Sequence, residues 1–158
     1  MRPRALGLSL LSLIAANALA FAESGARSAP ADPLEFRAEV RLAGDAPILE
    51  ALAGDATSAR AYAIRASTEL RTPALALPAL ARISASREAF EAEAALHQAA
   101  EIIYHLEEDF IARDELDRAP FQEAAEILHT ISEDEALPIG WRVRAGLAAL
   151  ELRDRLGP

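Results

Sequence analysis

Pro47, Pro120 and Pro138 each stand just ahead of an apolar run with helical periodicity. Proline's fixed φ suits the first turn of a helix, while in a helix interior it removes a hydrogen bond and clashes with the preceding turn. The three positions therefore predict helix starts. Pro47 opens Ile48 to Ala53, which Gly54 closes. Asp55 is placed to cap a helix over about Ala56 to Arg71, ended by Thr72-Pro73, because the residue before proline is driven out of the helical region. Leu75, Leu77, Leu80 and Ile83 mark another short helix, and Ser84-Ala85-Ser86 precedes a long one over about Arg87 to Arg113. A helix from Pro120 to about Ile131 follows. Ser132 and Glu135 have capping-box spacing, and Pro138 begins a last helix to about Leu156, before Gly157.

Short and long helices thus alternate, and the segments repeat in kind. Pro47-Ile48-Leu49-Glu50-Ala51-Leu52 recurs further along as Pro78-Ala79-Leu80-Ala81-Arg82-Ile83. Helix pairs recurring at such a period are the sequence form of α-solenoids, in which one pair cannot bury its own apolar face. The stretch Asp55 to Ala66 resembles the inter-helix turn and second helix of a HEAT-type repeat, with an Asp in the turn, Arg60 early in the helix and small residues at close-packing positions. Thr72 to Leu80 is similar to the start of a further repeat, and Val143-Arg144-Ala145-Gly146-Leu147-Ala148-Ala149-Leu150 to another second helix. The resemblance spans about half of residues 23–158. It implies an all-α fold, a short α-solenoid of HEAT-like pairs in which Asp55, Arg60 and Arg144 tie turns to helices. The predicted helix from Arg87 to Arg113 is too long for a standard repeat, and Asp114 to Ala119 interrupts the spacing, so an irregular helical bundle is the alternative.

The N-terminus carries a different signal. Arg2 and Arg4 precede an apolar run from Ala5 to Ala16, followed by the small-x-small sites Ala18-Leu19-Ala20 and Ala20-Phe21-Ala22. This three-part pattern predicts a secretory signal peptide over residues 1–22, cleaved after Ala20 or Ala22. The run is shorter than the roughly 20 residues a bilayer span requires, which argues against an uncleaved anchor. Glu23 to Ala31, rich in Ala, Ser and Gly, reads as a flexible linker to about residue 32, and residues 33–158 as one folded domain. Within it, Leu34 to Leu42 alternates apolar and polar residues as a strand would. Its ends, Asp32-Pro33 and Gly44, are those of a helix, and helix is preferred because no second strand offers a partner.

Composition narrows the partners. The 158 residues hold 16 basic and 25 acidic side chains, a net charge of −9 that loss of Arg2 and Arg4 would deepen. Such a surface repels nucleic acid and anionic lipid, leaving a protein partner as the expectation, with no nucleic acid and no stable membrane insertion after cleavage. Every basic residue is arginine, a usage that together with abundant alanine reads as the codon bias of a GC-rich bacterial genome and makes the expected compartment the periplasm. With no cysteine, lipid attachment at the cleavage site, cysteine zinc sites and thiol chemistry are excluded. Arg2 and Arg4 are not adjacent, which favours export of an unfolded chain without a cofactor.

One constellation is compatible with chemistry. Glu93, His97, Glu101, His105 and Asp109 recur every four residues and form one slowly winding stripe on the long helix. His97, Glu101 and His105 are the candidate metal ligands, since two imidazoles and a carboxylate suit zinc, copper or nickel, and His129 on the next helix is a conceivable addition. Against this, Ala92, Leu96, Ala99, Ile103, Leu106 and Phe110 define the core face of the same helix, so the stripe is expected on the solvated side. The acidic runs at Glu107, Asp114 and Glu133 lack the ligand spacing and turn glycine of a calcium loop and read as turns and solvated faces. No nucleophile elbow, His-Glu-x-x-His, phosphate loop or dinucleotide fingerprint occurs, so no catalytic residue is nominated and an enzyme is not expected. The aromatics read mostly as core, except Tyr104, which falls beside the stripe on the polar side.

The expected function is an exported, periplasmic helical module for protein–protein interaction, in its wider form an accessory subunit of an envelope complex. The alternative is a periplasmic metal-binding or metal-responsive protein that uses the His97/Glu101/His105 stripe.

Overall fold

The structure, a computed structural model, describes residues 43–54, 57–86 and 89–157. The predicted signal peptide, the linker, the segment Leu34 to Leu42 and Asp55 lie outside the described residues. Those described form seven α-helices and no strand: α1 (Ala46–Ala53), α2 (Thr57–Ala66), α3 (Leu77–Ser84), α4 (Ala89–His105), α5 (Phe110–Arg113), α6 (Ala119–Glu133) and α7 (Ile139–Leu156). Two 3₁₀ turns, Ser67–Glu69 and Pro73–Ala76, connect α2 to α3. Among the described residues no helix is long and apolar enough to cross a membrane.

The prolines act as their chemistry dictates. Pro47, Pro78 and Pro120 occupy the first turn of α1, α3 and α6, and Pro138 is the residue on which α7 begins. Each of α1, α3 and α6 packs against the longer helix that follows it, α2, α4 and α7 respectively. Between pairs, α1 packs on α3 and α3 on α6, while α2 packs on α4 and α4 on α7. The six helices therefore form two layers, α1–α3–α6 and α2–α4–α7. A continuous apolar core lies between them, and Leu80, Leu96, Leu128 and Leu152 are fully enclosed in it. Burying one such side chain stabilises the fold by about 1.5–3 kcal/mol. The α6–α7 contact is the most extensive, and small residues serve it: Ala124, Ala125, Ala145, Ala148 and Ala149 are buried, and a Cβ added at Gly146 would lie 3.3 Å from the Ser132 Cβ.

Arginine links the helices within and between the layers. Arg82 of α3 donates two hydrogen bonds to Glu123 of α6, at 3.3 and 3.1 Å. Arg60 of α2 binds Glu91 of α4 through Nε at 2.8 Å and also donates to the Gly54 carbonyl at 3.2 Å. Arg142 of α7 reaches the Ser132 carbonyl at the end of α6 at 3.2 Å. Arg60 and Arg142 are each the fourth residue of their helix, and each grips the end of the helix paired with it. Arg144, which the sequence resemblance put in that role, makes no hydrogen bond or ion pair among the described residues.

Three boundaries differ from the sequence expectation. First, α2 stops at Ala66 and the chain tightens into a 3₁₀ turn. There the buried Ser67 hydroxyl donates to the Ile64 carbonyl at 2.7 Å, a local bond that competes with the helix. Second, the helix expected to run to Arg113 ends at His105, and α5 starts at Phe110. Three successive carboxylates, Glu107, Glu108 and Asp109, occupy the segment between the two helices. Arg155 of α7 takes up the freed Leu106 carbonyl at 2.5 Å. Third, the Ser132 hydroxyl donates to the His129 carbonyl at 2.6 Å within α6, so no capping box forms with Glu135.

Candidate functional site

The expected metal ligands lie on α4, one turn apart, on its exposed side. The six residues assigned to the opposite, core face, Ala92 to Phe110, are all buried. His105 Nε2 is 3.3 Å from Glu101 Oε1, with both side chains more than half exposed. His129 sits on α6, which makes no extensive contact with α4, and pairs with Glu133 of its own helix at 3.5 Å. Among the described residues, no group of three His, Asp or Glu side chains is arranged to hold a metal ion.

The stripe does border a feature that periodicity alone does not reveal. His97, Gln98, Glu101 and His105 form one wall of a groove of about 660 Å³, whose other wall is Thr68 and Arg71 to Ala74 in the 3₁₀ segment. Glu107, Arg113 and Asp114 close its end. Asp45, at the head of α1, fixes the far wall by accepting the Arg71 backbone N–H at 3.0 Å. At the closed end, Arg113 donates to Asp114 at 3.0 and 3.2 Å and to Glu107. The Arg113 hydrogen bond is the main reason the Asp114 carboxyl is held below the usual aspartate range, with slight desolvation pulling the other way. Cations and anions alternate around the opening, so the groove presents no field of one sign. Tyr104 lies off the groove, 74% exposed, its ring meeting His105 edge-on at 5.1 Å.

A second surface lies on α7. Its inner face buries Ala145, Ala148, Ala149 and Leu152, while Ile139, Val143, Leu147 and Leu150 on the outer side are 70, 52, 64 and 64% exposed. Spacings of four, four and three residues align these four side chains in one stripe along the helix. Within its layer α7 packs on α4 alone, so nothing covers the stripe among the described residues. The sequence did carry this signal: α7 has apolar residues for two faces where a surface helix needs one. Reading Val143 to Leu150 as a single packing motif merged the two faces.

The acidic runs build turns. Asp117 Oδ1 accepts the Ala119 N–H at 3.1 Å beside the start of α6, and Asp134 Oδ1 accepts the Ala136 N–H at 3.0 Å between α6 and α7.

No family model, no curated protein and no solved structure matches the chain.

Proposed function

We propose that the protein is an exported helical module, a short α-solenoid of HEAT-like pairs, that docks another protein chain on the outer face of α7. The observation that carries this reading is the apolar stripe Ile139, Val143, Leu147 and Leu150 on a helix already packed on its other side. Soluble proteins rarely leave large apolar side chains contiguous on the surface unless something covers them. The solenoid form is supported by the two-layer packing, by the first-turn prolines of α1, α3 and α6, and by the equivalent use of Arg60 and Arg142. Export is supported by Arg2, Arg4, the apolar run and the paired Ala-x-Ala sites.

A photo-crosslinking residue placed at Leu147 in living cells tests the docking face, with Thr130 on the exposed side of α6 as control. Position 147 is expected to give a discrete protein adduct and position 130 none. Absence of any adduct at 147 under every growth condition would remove the reading.

A further inference from the structure

We infer that the partner on this face is a second copy of the same chain, α7 against α7 in antiparallel orientation about a two-fold axis near Leu147. The inference rests on the docking reading above and names its occupant. Its basis is that the face is complementary to itself. With the axis near Leu147, the two Leu147 side chains meet each other, and Val143 of one copy lies within one residue's rise of Leu150 of the other. The charged flank falls within one residue of this register. Arg144 and Glu151 lie two helical turns apart on one edge of the stripe, and in an antiparallel helix pair like edges face one another. Arg144 therefore faces Glu151 of the second copy, and the two-fold axis makes that pair twice. Arg144 is the cation of α7 without a hydrogen bond or ion pair among the described residues, whereas Arg142, Arg153 and Arg155 are all engaged. Glu151 is bound on one oxygen only, by Arg155 of its own helix, and its second oxygen is open to a new donor.

The orientation also sets the two helix dipoles in opposition, which is favourable for helices side by side. A copy of the chain is itself acidic, and the two Arg144–Glu151 pairs supply local attraction against that repulsion.

The test is sedimentation of the full chain, expressed with its own N terminus, over a wide range of concentrations. The unaltered protein is expected to form a dimer. Leu147→Asp should raise the dissociation constant by about tenfold or more, on the order expected for the centre of a small interface, with an unchanged helical circular-dichroism signal because the side chain is exposed. Arg144→Glu and Glu151→Arg should each weaken the dimer, since each sets like charges face to face. An equimolar mixture of the two variants should associate more tightly than either alone, because every cross-copy pair then again joins unlike charges. A protein that stays monomeric throughout, or a mixture no tighter than its components, would overturn the antiparallel dimer. If the protein is monomeric and position 147 crosslinks a different protein in cells, the dimer falls and the docking face stands. If 147 crosslinks nothing, both fall.

Discussion

Helices α4 and α7 are close in length, 17 and 18 residues, and occupy the same layer, yet their outer faces have opposite chemistry. The outer side of α4 carries Glu93, His97, Glu101 and His105, all exposed and charged or chargeable. That of α7 carries Ile139, Val143, Leu147 and Leu150. Their neighbours explain the difference. In its layer α4 packs on α2 and on α7, so its apolar needs are met on both sides and what remains is a solvated face. Among the described residues α7 has only α4 as a neighbour in its layer, and its outer apolar residues are uncovered. The proposed docking face and the charged face thus differ in what covers them among the described residues.

The largest test of that contrast sets the inner face of α7 against its outer face. Leu152 and Leu96 are both fully buried. Leu152→Ala should cost about 2–5 kcal/mol of unfolding free energy, the range for emptying a buried leucine site, and Leu96→Ala on α4 should match it. Leu147→Ala should change the stability of the monomer by less than about 0.5 kcal/mol, as exposed positions do. Urea unfolding at concentrations too low for association measures all three. A large loss from Leu147→Ala would mean that α7 is packed on both faces within one chain, and the contrast would collapse.

Next in size is the pair that joins α2 to α4. Arg60 and Glu91 are only 16 and 5% exposed in their side chains, and Oε1 of Glu91 is buried without a hydrogen bond among the described residues. Arg60→Ala should therefore cost about 3 kcal/mol, because it leaves a buried carboxylate without its counter-charge. Replacing both residues by apolar side chains of similar volume should cost much less, since pair and penalty go together. A double-mutant cycle by thermal unfolding separates the two contributions. A near-zero coupling energy would show that α4 is held in its layer by packing alone.

The helical plan of the chain was open to sequence reading because it depends on local chemistry. Pro47, Pro120 and Pro138 stand at helix starts in the structure, as read, and the face from Ala92 to Phe110 is buried as its spacing requires. What sequence reading missed depends on distant residues. The end of α4 is secured where Arg155 of α7 binds the Leu106 carbonyl, and no local pattern announces so remote a contact. Ser132 lies at capping distance from Glu135 yet uses its hydroxyl within α6. The groove beside His97 and Glu101 exists because the segment from Thr68 to Ala74 folds alongside α4, which periodicity within α4 cannot express. The α7 stripe was present in the residues, but its exposure depends on which helix has a neighbour.

A smaller effect sharpens the account of where the α4 face ends. Glu115 has a φ of 51°, in the left-handed region that costs an ordinary side chain strain. It closes α5 in a Schellman arrangement, with the Leu116 N–H on the Ile111 carbonyl at 2.9 Å and its own N–H directed at the Ala112 carbonyl. Glu115→Gly should stabilise the protein by about 0.5–1 kcal/mol, the relief of strain exceeding the added freedom of the unfolded chain. Denaturation curves at matched pH measure it, and a loss of stability would show that the Glu115 side chain holds the turn.

On the charged face itself, the His105–Glu101 pair is exposed and has i,i+4 spacing. His105→Ala should therefore shift stability by at most about 0.5 kcal/mol, the usual range for such pairs. Zinc should leave the unfolding midpoint of the protein unchanged. A zinc-dependent rise in Tm that disappears with His97→Ala or His105→Ala would reverse the comparison, making α4 the functional face.

The smallest effect is a pH dependence at the groove's closed end. Because the Arg113 guanidinium lowers the Asp114 pKa in the folded state, the unfolded chain binds a proton there more readily than the folded one. The resulting stability is fully present above the ordinary aspartate pKa. It is lost as pH falls from there through the lower folded value. Asp114→Asn should therefore remove a small part of the acid limb of the stability curve and leave the neutral region's slope unchanged. The pair is close to solvent, so added salt should reduce the difference between the two proteins. Equal acid limbs at low salt would show that Arg113 does not favour the Asp114 carboxylate, and the groove end would then owe its shape to the α5 turn alone.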